Sequence, residues 1–356
     1  MKIVFLYPVT QDALDFLKEK LPDDVKVIAR IRGDPSQIPA NEDPEIVKET
    51  KDAEILIGPY ITDEILSQAI PEAGGKLKLI QIPWTGVDRL NLELVKKYSV
   101  VVANSHGNAR TVAEHTVALL LTASKNIIHH DRLLRIGDWS SRFNKMPSIK
   151  LQGKTVGLLG YGAIAIESAI LLKNFDVKFI ACRRKPEKST HEQKQLVEKI
   201  YSVDELDEFL QESDIIINSL PLTKETQDIL GEKEFNQMKD GVILINVGRG
   251  HTINEKAFYN ALKSGKIYAA GIDPMWNYPR RTSVPRRDDG EVSSIEATYP
   301  SEYPIHEFDN VVLSPHRAAH INISYERGHW DDVIENIIRI YEGKDPINIV
   351  NIDEGY

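Results

Sequence analysis

The segment Lys154-Thr-Val-Gly-Leu-Leu-Gly-Tyr-Gly-Ala-Ile-Ala165 joins a short apolar run to a helical pattern near the middle of the chain. Residues 156–159 are an apolar run of the kind that forms a buried parallel strand. Ile166, Ala169 and Ile170 then recur at helical spacing. The segment therefore predicts a strand, a tight turn and a helix in immediate succession.

The turn in this segment reads Gly160-x-Gly162-x-x-Ala165. Gly160 permits the sharp bend, Gly162 has no Cβ to obstruct a pyrophosphate, and Ala165 allows close packing of helix on strand. The helix N-terminus, with its unpaired N–H groups and dipole, favours an anion. The same turn could also join a strand to a helix with no ligand. Because a second strand follows at the expected distance, we favour a dinucleotide-binding unit.

Length and composition narrow the class of protein. A chain of 356 residues predicts two domains, and 42% hydrophobic with 27% charged residues is typical of a globular protein with a large core. The formal charge of −9 argues against nucleic-acid and membrane-surface partners. The single cysteine, Cys182, excludes a disulfide framework and a cysteine metal cluster. The N-terminal run 2–9 is too short for a signal peptide, so we expect a cytoplasmic protein.

Strands and helices alternate along the whole chain, which predicts parallel sheets covered by helices on both faces. The predicted strands lie at 2–7, 25–29, 53–58, 77–82 and 100–103 in the first part, and at 156–159, 177–181, 215–218, 242–247, 268–272 and 311–314 in the second. The main predicted helices are 12–21, 63–69, 111–128 and 322–341, followed by an extended piece at 347–352. We predict an α/β fold of two Rossmann-like or flavodoxin-like, doubly wound parallel-sheet domains with a cleft between them.

Two segments stand out from this alternation. The helix 111–128 is apolar on most sides and is expected to be buried between domains or subunits. The interval 279–303 has no apolar period and is rich in arginine and acidic residues, and so long a loop is usually functional or disordered. The last helix is expected to return to the first domain, since chain termini usually lie close together.

Basic residues follow the second strand of the nucleotide-binding unit. Where an acid that binds ribose is expected, the chain has Arg183, Arg184 and Lys185. Arginine pairs with a 2′-phosphate through charge-assisted hydrogen bonds, which indicates NADP as the cofactor and leaves NAD as the alternative. Two solvated arginines on the surface would be the simpler interpretation.

Three later strands each end in a polar residue, at the edge where open α/β sheets bind ligands. These residues are Arg249, Asp273 and His316. A guanidinium can hold a carboxylate or carbonyl, and an imidazole can transfer a proton near neutral pH. Taken singly, they could be a surface ion pair, a helix cap and a loop histidine. Their common position around one glycine turn favours a joint function.

The chain resembles the D-isomer-specific 2-hydroxyacid dehydrogenase family, which includes glyoxylate and hydroxypyruvate reductases and D-lactate, phosphoglycerate and formate dehydrogenases. The resemblance rests on ordered motifs: Gly86-Val-Asp88, Asn108-Ala-Arg-Thr-Val-Ala-Glu-His115, Gly160-Tyr-Gly162, Leu220-Pro-Leu-Thr223, Ile245-Asn-Val-Gly-Arg-Gly250, Gly271-Ile-Asp273 and Ser314-Pro-His316. It implies a dinucleotide-binding Rossmann domain at 104–317, with an insertion at about 279–303. It also implies a substrate-binding domain made of 1–103 and 318–356, and a homodimer formed mainly through the Rossmann domains.

The resemblance also implies roles for individual residues. Arg249 resembles the arginine that binds the 2-oxo acid, His316 the acid–base that protonates the carbonyl, and Asp273 the acid that holds the nicotinamide carboxamide. The other implied cofactor contacts, beside the basic residues at 183–185, are Tyr161, Gly162, Ala163, Ile164, Leu220, Pro221, Thr223, Thr226, Val247, Gly248 and Ala318. The implied substrate contacts are Tyr60 and the turn Trp84, Thr85, Gly86 and Val87, whose N–H groups would face the carboxylate.

The chain departs from the family at one position. The family has a glutamate, paired with the histidine, five residues after the aspartate; here that place is Tyr278. A phenol is neutral near pH 7, so His316 is expected to titrate near its ordinary value and reduction to weaken as the pH rises through roughly 6.5. The formate dehydrogenase branch resembles this case in using a glutamine. Tyr278 is the third candidate catalytic residue, and a carboxylate of the insertion (Glu291, Glu296 or Glu302) is the alternative partner.

The adjacent residues His129 and His130, and the single residue Trp276, allow more than one interpretation. His129 and His130 are expected at a solvated helix end, without a third ligand at zinc spacing, so no metal is predicted. Trp276 could cover the substrate or pack against the insertion.

These observations indicate an NAD(P)-dependent oxidoreductase that transfers a hydride between a nicotinamide and a small 2-oxo or D-2-hydroxy acid. The alternative is a nucleotide-sensing binding protein of the same fold, similar to the co-repressors of this family.

Overall fold

The computed structural model describes residues 1–32, 39–143, 147–279, 297–319 and 324–356, with only the backbone of 324–329. It divides into two compact units, Met1–Asn108 with Ile321–Tyr356 (unit 1) and Ala109–His320 (unit 2). The boundaries thus fall at 108/109 and 320/321, where the motifs predicted 103/104 and 317/318. Residues 280–296 of the predicted insertion, with Glu291 and Glu296, lie outside the described residues.

The strands in chain order are β1 (Lys2–Phe5), β2 (Lys26–Ile28), β3 (Ile55–Ile57), β4 (Leu79–Gln81), β5 (Val102–Ala103), β6 (Thr155–Leu159), β7 (Lys178–Cys182), β8 (Lys199–Tyr201), β9 (Ile215–Asn218), β10 (Val242–Asn246), β11 (Ile267–Ile272) and β12 (Val311–Leu313). The α-helices are α1 (Gln11–Lys20), α2 (Pro44–Glu49), α3 (Asp63–Ala69), α4 (Leu92–Lys97), α5 (Ala109–Ser124), α6 (Ile127–Arg135), α7 (Ala163–Leu172), α8 (His191–Gln195), α9 (Leu206–Glu212), α10 (Glu232–Gln237), α11 (Glu255–Lys263) and α12 (Ser324–Tyr341).

Unit 1 contains a five-stranded parallel sheet in the order β2-β1-β3-β4-β5. This is the strand order of flavodoxin-like folds. The strands β3 and β4 are buried along their whole length because helices cover both faces. On one face Leu14 and Leu17 of α1 share a core cluster with Val333 and Ile337 of α12.

Unit 2 contains a seven-stranded parallel sheet in the order β12-β11-β10-β9-β6-β7-β8. Counted from β6, this is the Rossmann order, and it reverses direction between β6 and β9. Ligands bind open sheets of this kind outside the carboxyl ends of the strands beside such a reversal. The glycine turn directly follows β6, beside this reversal. Because both units contain parallel sheets and helices, the predicted fold class of two parallel-sheet α/β domains is confirmed.

The predicted helix 111–128 is wrong in its length. The helix α5 ends at Ser124, and Asn126 has a left-handed backbone (φ 54°) that separates it from α6. Its buried side chains Leu119, Leu120 and Ala123 belong to the core of unit 2 itself. One face of α5 thus covers the sheet of its own unit, and the contact of this helix with another domain or subunit stays a prediction.

The C-terminal segment 347–352, predicted as an extended piece, lies beside β5 and exchanges backbone hydrogen bonds with it. Residues 347–352 form no strand, and Ile349 makes only an isolated antiparallel bridge with Ala103. In the described ranges no helix is long and apolar enough to span a bilayer.

Candidate active site

The glycine turn is shaped as a cradle for an anion. Gly160 has φ 88°, and a Cβ on it would lie 3.0 Å from the amide nitrogen of Leu220. Gly162 is the N-cap of α7, makes no side-chain cap hydrogen bond, and a Cβ on it would meet nothing within 4 Å. The first N–H groups of α7, including those of Ala163 and Ile164, have no acceptor within the helix. The space and the donors fit a pyrophosphate.

Tyr161 has a different position from its glycine neighbours. Its side chain is buried, its hydroxyl donates to the carbonyl oxygen of Gln193 at 2.7 Å, and burial raises its pKa to about 12. The phenol is therefore neutral and anchors the turn from inside.

The basic residues after β7 are not equivalent. Arg183 Nη1 donates to the buried Ser189 Oγ at 3.0 Å and to Gln193 Oε1 at 3.3 Å. Arg184 Nη1 instead donates to the carboxylate of Glu225 at 2.8 Å. Lys185 is half-buried and directly precedes a 3-10 turn at Pro186–Lys188. Arg183 thus stands beside a hydroxyl that could join it on a phosphate, whereas Arg184 already has an anionic partner.

Two buried asparagines at the ends of β9 and β10 hold the neighbouring loops together. Asn218 Nδ2 donates to Asn246 Oδ1 at 3.2 Å and to Thr252 Oγ1 at 2.7 Å. Asn218 Oδ1 accepts from the N–H of Leu220, and Asn246 Oδ1 from that of Gly248, both at 3.1 Å. This asparagine pair was not predicted from the motifs, although each asparagine is the last residue of an apolar strand.

The loops after β9 and β10 are in close contact, and this contact requires a glycine at position 248. A Cβ on Gly248 would lie 2.5 Å from the carbonyl oxygen of Leu220, so no other residue fits. Val247 beside it is buried. The loop after β9 is closed by its own hydrogen bonds: Thr226 Oγ1 donates to the carbonyl of Pro221 at 2.6 Å and accepts from the N–H of Thr223 at 2.8 Å.

Arg249 directly follows Gly248 in the loop after β10. Its carbonyl accepts from Asn246 Nδ2 at 3.0 Å and from Thr252 Oγ1 at 2.7 Å, so its backbone is fixed on both sides. The half-buried side chain donates through Nη1 to the carbonyl of Gly248 at 2.8 Å. A guanidinium has five N–H donors, and this contact uses one of them.

Asp273 organises the turn after β12. Its carboxylate, 1% exposed, accepts from Ser314 Oγ at 2.5 Å, from the N–H of Arg317 at 2.8 Å and from the N–H of Ala318 at 3.2 Å. Ser314 Oγ also lies 3.0 Å from His115 Nε2 on α5. The sequence analysis missed Ser314 and His115 as part of the site, although both lie within the family motifs. These contacts make the carboxylate the anchor of the turn.

That turn presents His316 next to Tyr278. His316 has a left-handed backbone (φ 55°), and its N–H donates to the carbonyls of Asp273 at 3.0 Å and Ser314 at 2.9 Å. Its Nδ1 lies 3.0 Å from the hydroxyl oxygen of Tyr278. The same oxygen accepts the N–H of Met275 at 3.0 Å. The phenol therefore lies beside the imidazole, as the place of Tyr278 five residues after Asp273 led us to expect.

Other aromatic and acidic candidates lie elsewhere. Trp276 is buried, donates from Nε1 to the carbonyl of Ile253 at 2.9 Å and packs on Phe258, so it is a core residue. Glu302, the one described glutamate of the three candidates, donates its N–H to Glu255 Oε1 at 2.7 Å.

The histidine pair is also placed differently from its prediction. His129 lies inside α6, is buried, and pairs through Nδ1 with Asp309 Oδ2 at 3.3 Å, so a solvated helix end is wrong. Across the described ranges, no group of three or more histidine, cysteine, aspartate or glutamate residues could hold a metal.

In unit 1 the predicted substrate turn is held by side chains. Thr85 Oγ1 donates to the carbonyl of Ser105 at 3.0 Å, and Asn104 Nδ2 donates to the carbonyl of Thr85 at 2.8 Å. Gly86 is half-exposed and Val87 is buried.

Side chains of unit 1 flank this turn. Trp84 packs edge-on against Tyr7 with ring centroids 5.8 Å apart. Tyr60 accepts from Arg89 Nη1 at 3.4 Å. His106 donates its backbone N–H to Asp332 Oδ2 at 2.6 Å, and burial lowers the pKa of its imidazole.

Comparison with known proteins assigns the family. Residues 117–318 match the family model described as D-isomer specific 2-hydroxyacid dehydrogenase, NAD binding domain. The chain belongs to the D-isomer-specific 2-hydroxyacid dehydrogenase family. The family predicted from the motifs is confirmed.

The family members most useful for comparison differ in length. This 2-hydroxyacid dehydrogenase family member is 30% identical to the glyoxylate reductase of Thermofilum pendens over 312 residues, which are 86% of this chain and 84% of the relative. It is 30% identical to the D-3-phosphoglycerate dehydrogenase of Archaeoglobus fulgidus over 360 residues, and spans 99% of itself but 59% of that relative. Among solved structures, an acyclic imino acid reductase in complex with NADPH and D-Arg is 26% identical, with a TM-score of 0.73 over 99% of this chain and 100% of that one.

Proposed function

We propose that the protein is an NAD(P)-dependent oxidoreductase that reduces a small 2-oxo acid to the D-2-hydroxy acid, or catalyses the reverse reaction. The observation that carries this proposal is the carboxyl edge of the sheet in unit 2. There the strands β10, β11 and β12 are followed by Arg249, Asp273 and the turn of His316, at the edge of the sheet that also carries the open glycine turn.

The nucleotide would be held by the loops of this edge. The N–H groups at the start of α7 would bind the pyrophosphate. The loops around Pro221 and Gly248, joined by the asparagine pair, would border the adenosine and the nicotinamide ribose. When bound, the nicotinamide supplies or accepts the hydride.

The protein groups would position the acid and move a proton. Arg249 would bind the carboxylate and carbonyl of the 2-oxo acid through its forked N–H groups. His316 would give its Nε2 proton to the carbonyl oxygen. Asp273 would keep the histidine turn in place, and its predicted contact with the nicotinamide carboxamide stays part of the proposal.

NADP is the proposed cofactor. The support is Arg183 beside the buried hydroxyl of Ser189, since both could donate to a 2′-phosphate. Arg184, paired with Glu225, would contribute less. NAD is the alternative, because the matched family model is that of an NAD-binding domain.

Unit 1 would bind the substrate carboxylate through the N–H groups of the turn Trp84–Val87, with Tyr60 at its side. We assign the substrate-binding role to unit 1 and the dinucleotide-binding role to unit 2. A location in the cytoplasm stays a prediction.

The proposed homodimer has support in unit 2. Ile136, Trp139 and Phe143 are 79%, 60% and 80% exposed, and such a group of exposed apolar side chains is typical of an interface. The variant Trp139→Ser with Phe143→Ser should run as a monomer in light scattering while the wild type runs as a dimer. A monomeric wild type would contradict the dimer.

The test of activity is oxidation of NADPH and NADH in the presence of glyoxylate, hydroxypyruvate, pyruvate and bulkier 2-oxo acids. Turnover with any of them supports the proposal, and a higher kcat/KM with NADPH supports the cofactor assignment. Tight nucleotide binding with no turnover would favour the nucleotide sensor instead, for which the absence of an acid at Tyr278 is the motivating observation.

A further inference from the structure

We propose that Tyr278 and His316 form a proton relay, in which the phenol replaces the proton that His316 delivers to the substrate oxygen. The relay rests on the proposed function. Tyr278 acts through the histidine and not on the substrate.

The hydrogen bonds around the phenol oxygen define the direction of its proton. Tyr278 Oη accepts the N–H of Met275 at 3.0 Å and lies 3.0 Å from His316 Nδ1. A phenol is a better donor than a neutral imidazole, and an unprotonated imidazole nitrogen is a better acceptor than a phenol oxygen. The O–H therefore points at Nδ1, and the neutral imidazole carries its own proton on Nε2.

The surroundings keep the imidazole in this arrangement. The left-handed backbone of His316 is stabilised by two backbone hydrogen bonds and by the carboxylate of Asp273 beneath the turn. A left-handed conformation at a residue other than glycine is costly and persists only where neighbours hold it. The backbone of His316 is thus fixed by contacts independent of Tyr278, so removing the phenol hydroxyl should leave the turn that carries the imidazole in place.

Two proton transfers in the relay accompany the hydride transfer. When the carbonyl carbon of the 2-oxo acid accepts the hydride, the C=O electron pair moves onto the oxygen, which takes the Nε2 proton. At the same time Nδ1 takes the proton of Tyr278 Oη. The histidine stays neutral but now carries its proton on Nδ1, and the phenolate is stabilised by the N–H of Met275. After the product leaves, Nδ1 returns this proton to the phenolate while Nε2 takes one from water, which restores the starting tautomer.

The relay predicts a pH dependence opposite to the one expected from the sequence. With a glutamate beside it, the histidine must already be charged to donate, and the donor is lost above the histidine pKa. A phenol keeps its proton up to about pH 10. Reduction should therefore persist well above pH 6.5.

Other ionisable groups adjoin the pair from each described neighbouring element. They are Asp273 after β11, His115 on α5, which lies 3.0 Å from Ser314 Oγ and 3.6 Å from Asp273 Oδ1, and Arg317 on the histidine turn. His115 is the one that could add a titration near neutral pH. The variant His115→Asn removes this titration, so the shape of its pH profile above pH 6.5, compared as a ratio of rates within the variant, should match that of the wild type.

The first experiment needs no cofactor and no turnover. The full chain with ¹⁵N-labelled histidine is studied by NMR at pH 8, with His316→Asn used to assign the signal. The wild type should carry its proton on Nε2, Tyr278→Phe should populate both tautomers, and Tyr278→Glu should place the proton on Nδ1. Tyr278 is 48% exposed, so both variants should fold.

The second experiment is the pH profile of 2-oxo acid reduction. Between pH 6.5 and 9, kcat of the wild type should change less than about threefold, whereas that of Tyr278→Phe should fall about tenfold for each pH unit above the histidine pKa. Tyr299→Phe is the matched control, because Tyr299 is exposed and stacks on His306 with ring centroids 4.4 Å apart. Its profile should follow the wild type.

The outcomes separate the two proposals. A wild type that reduces 2-oxo acids but carries its proton on Nδ1, or a Tyr278→Phe variant with the wild-type profile, overturns the relay alone. A wild type with the Nε2 tautomer that reduces no 2-oxo acid overturns the proposed function, and the relay with it.

Discussion

The helix that follows the first strand of the sheet has a different kind of N-cap residue in each unit. In unit 1, β1 leads to α1, whose N-cap Thr10 accepts the N–H of Ala13 at 3.3 Å through its hydroxyl. In unit 2, β6 leads to α7, whose N-cap Gly162 has no side chain that could do this. The N-terminal donors of α1 thus have an acceptor within the chain, whereas those of α7 are available to an anion.

Three further helices of unit 1 repeat the pattern of α1. The helices α2, α3 and α4 are capped by the side chains of Asp43, Thr62 and Asn91. Both units are parallel sheets with helices on both faces, so the architecture does not decide which of them binds a nucleotide. What distinguishes unit 2 is that α7, the helix directly after the glycine turn, begins at Gly162 with open space around it and no capping side chain.

The largest effect should come from the arginine at the carboxyl edge of unit 2. Arg249→Ala should lower kcat/KM for a 2-oxo acid by about 10³-fold, since a charged donor to the reacting group is lost. Arg89→Ala, beside Tyr60 in unit 1, is the matched control and should lower it far less. Equal losses in the two variants would remove the distinction between the units.

The comparison of helix caps can be tested by exchanging them. Gly162→Thr should raise the Kd for NADPH about 100-fold, or by ~2.7 kcal/mol, because the new side chain occupies the anion space and caps α7. The backbone of Gly162 is extended (φ −110°, ψ −165°) and accepts other residues, so Tm should hold or rise. Titration of NADPH fluorescence and thermal unfolding measure the two quantities.

The reciprocal exchange is the control for this pair. Thr10→Gly should leave the NADPH Kd unchanged and weaken α1 by a few tenths of a kcal/mol, as expected for an N-cap lost to glycine. Unchanged NADPH binding by Gly162→Thr would show that the anion does not lie at α7.

The two arginines after β7 should differ in a smaller effect. Arg183→Asp should lower the ratio of kcat/KM with NADPH to that with NADH about 30-fold, as expected for one charge-assisted hydrogen bond worth about 2 kcal/mol. Arg184→Asp should lower it less, since Glu225 already holds that guanidinium. If the order is reversed, Arg184 is the phosphate ligand.

The smallest effect concerns the stability of unit 1. Burial lowers the pKa of His106 in the folded chain, so its neutral form is favoured there and its contribution to stability is present above pH 6.5. As the pH falls below 6.5 the unfolded chain takes up the proton first, and stability decreases. In His106→Gln, Tm should depend less on pH between 7 and 5. An equally steep dependence would assign the effect to other groups.

The fold was largely predictable because its signals are local. The apolar run before Gly160 and the glycines themselves specify strand, turn and helix through backbone sterics alone. The length of α5 was not predictable, because its end depends on the left-handed backbone of Asn126, in a stretch whose apolar pattern continues into α6.

The site was predictable as a set of residues but not as a set of contacts. Arg249, Asp273 and His316 could be found because each lies within three residues of the end of an apolar strand. The asparagine pair at 218 and 246 escaped notice because its importance arises from two strands that are neighbours in the sheet and 28 residues apart in the chain. The inequality of Arg183 and Arg184 likewise depends on Glu225, 41 residues away from Arg184.

The order of residues alone determined two parallel-sheet domains, the glycine turn and the family, since these follow from period, turn chemistry and short motifs. Only the tertiary structure decided that Asp273 anchors the histidine turn, that Tyr278 meets Nδ1 of His316, and that Trp276 is a core residue. These are contacts between segments distant in the chain, and the angle and distance of a hydrogen bond exist only once the strands are packed.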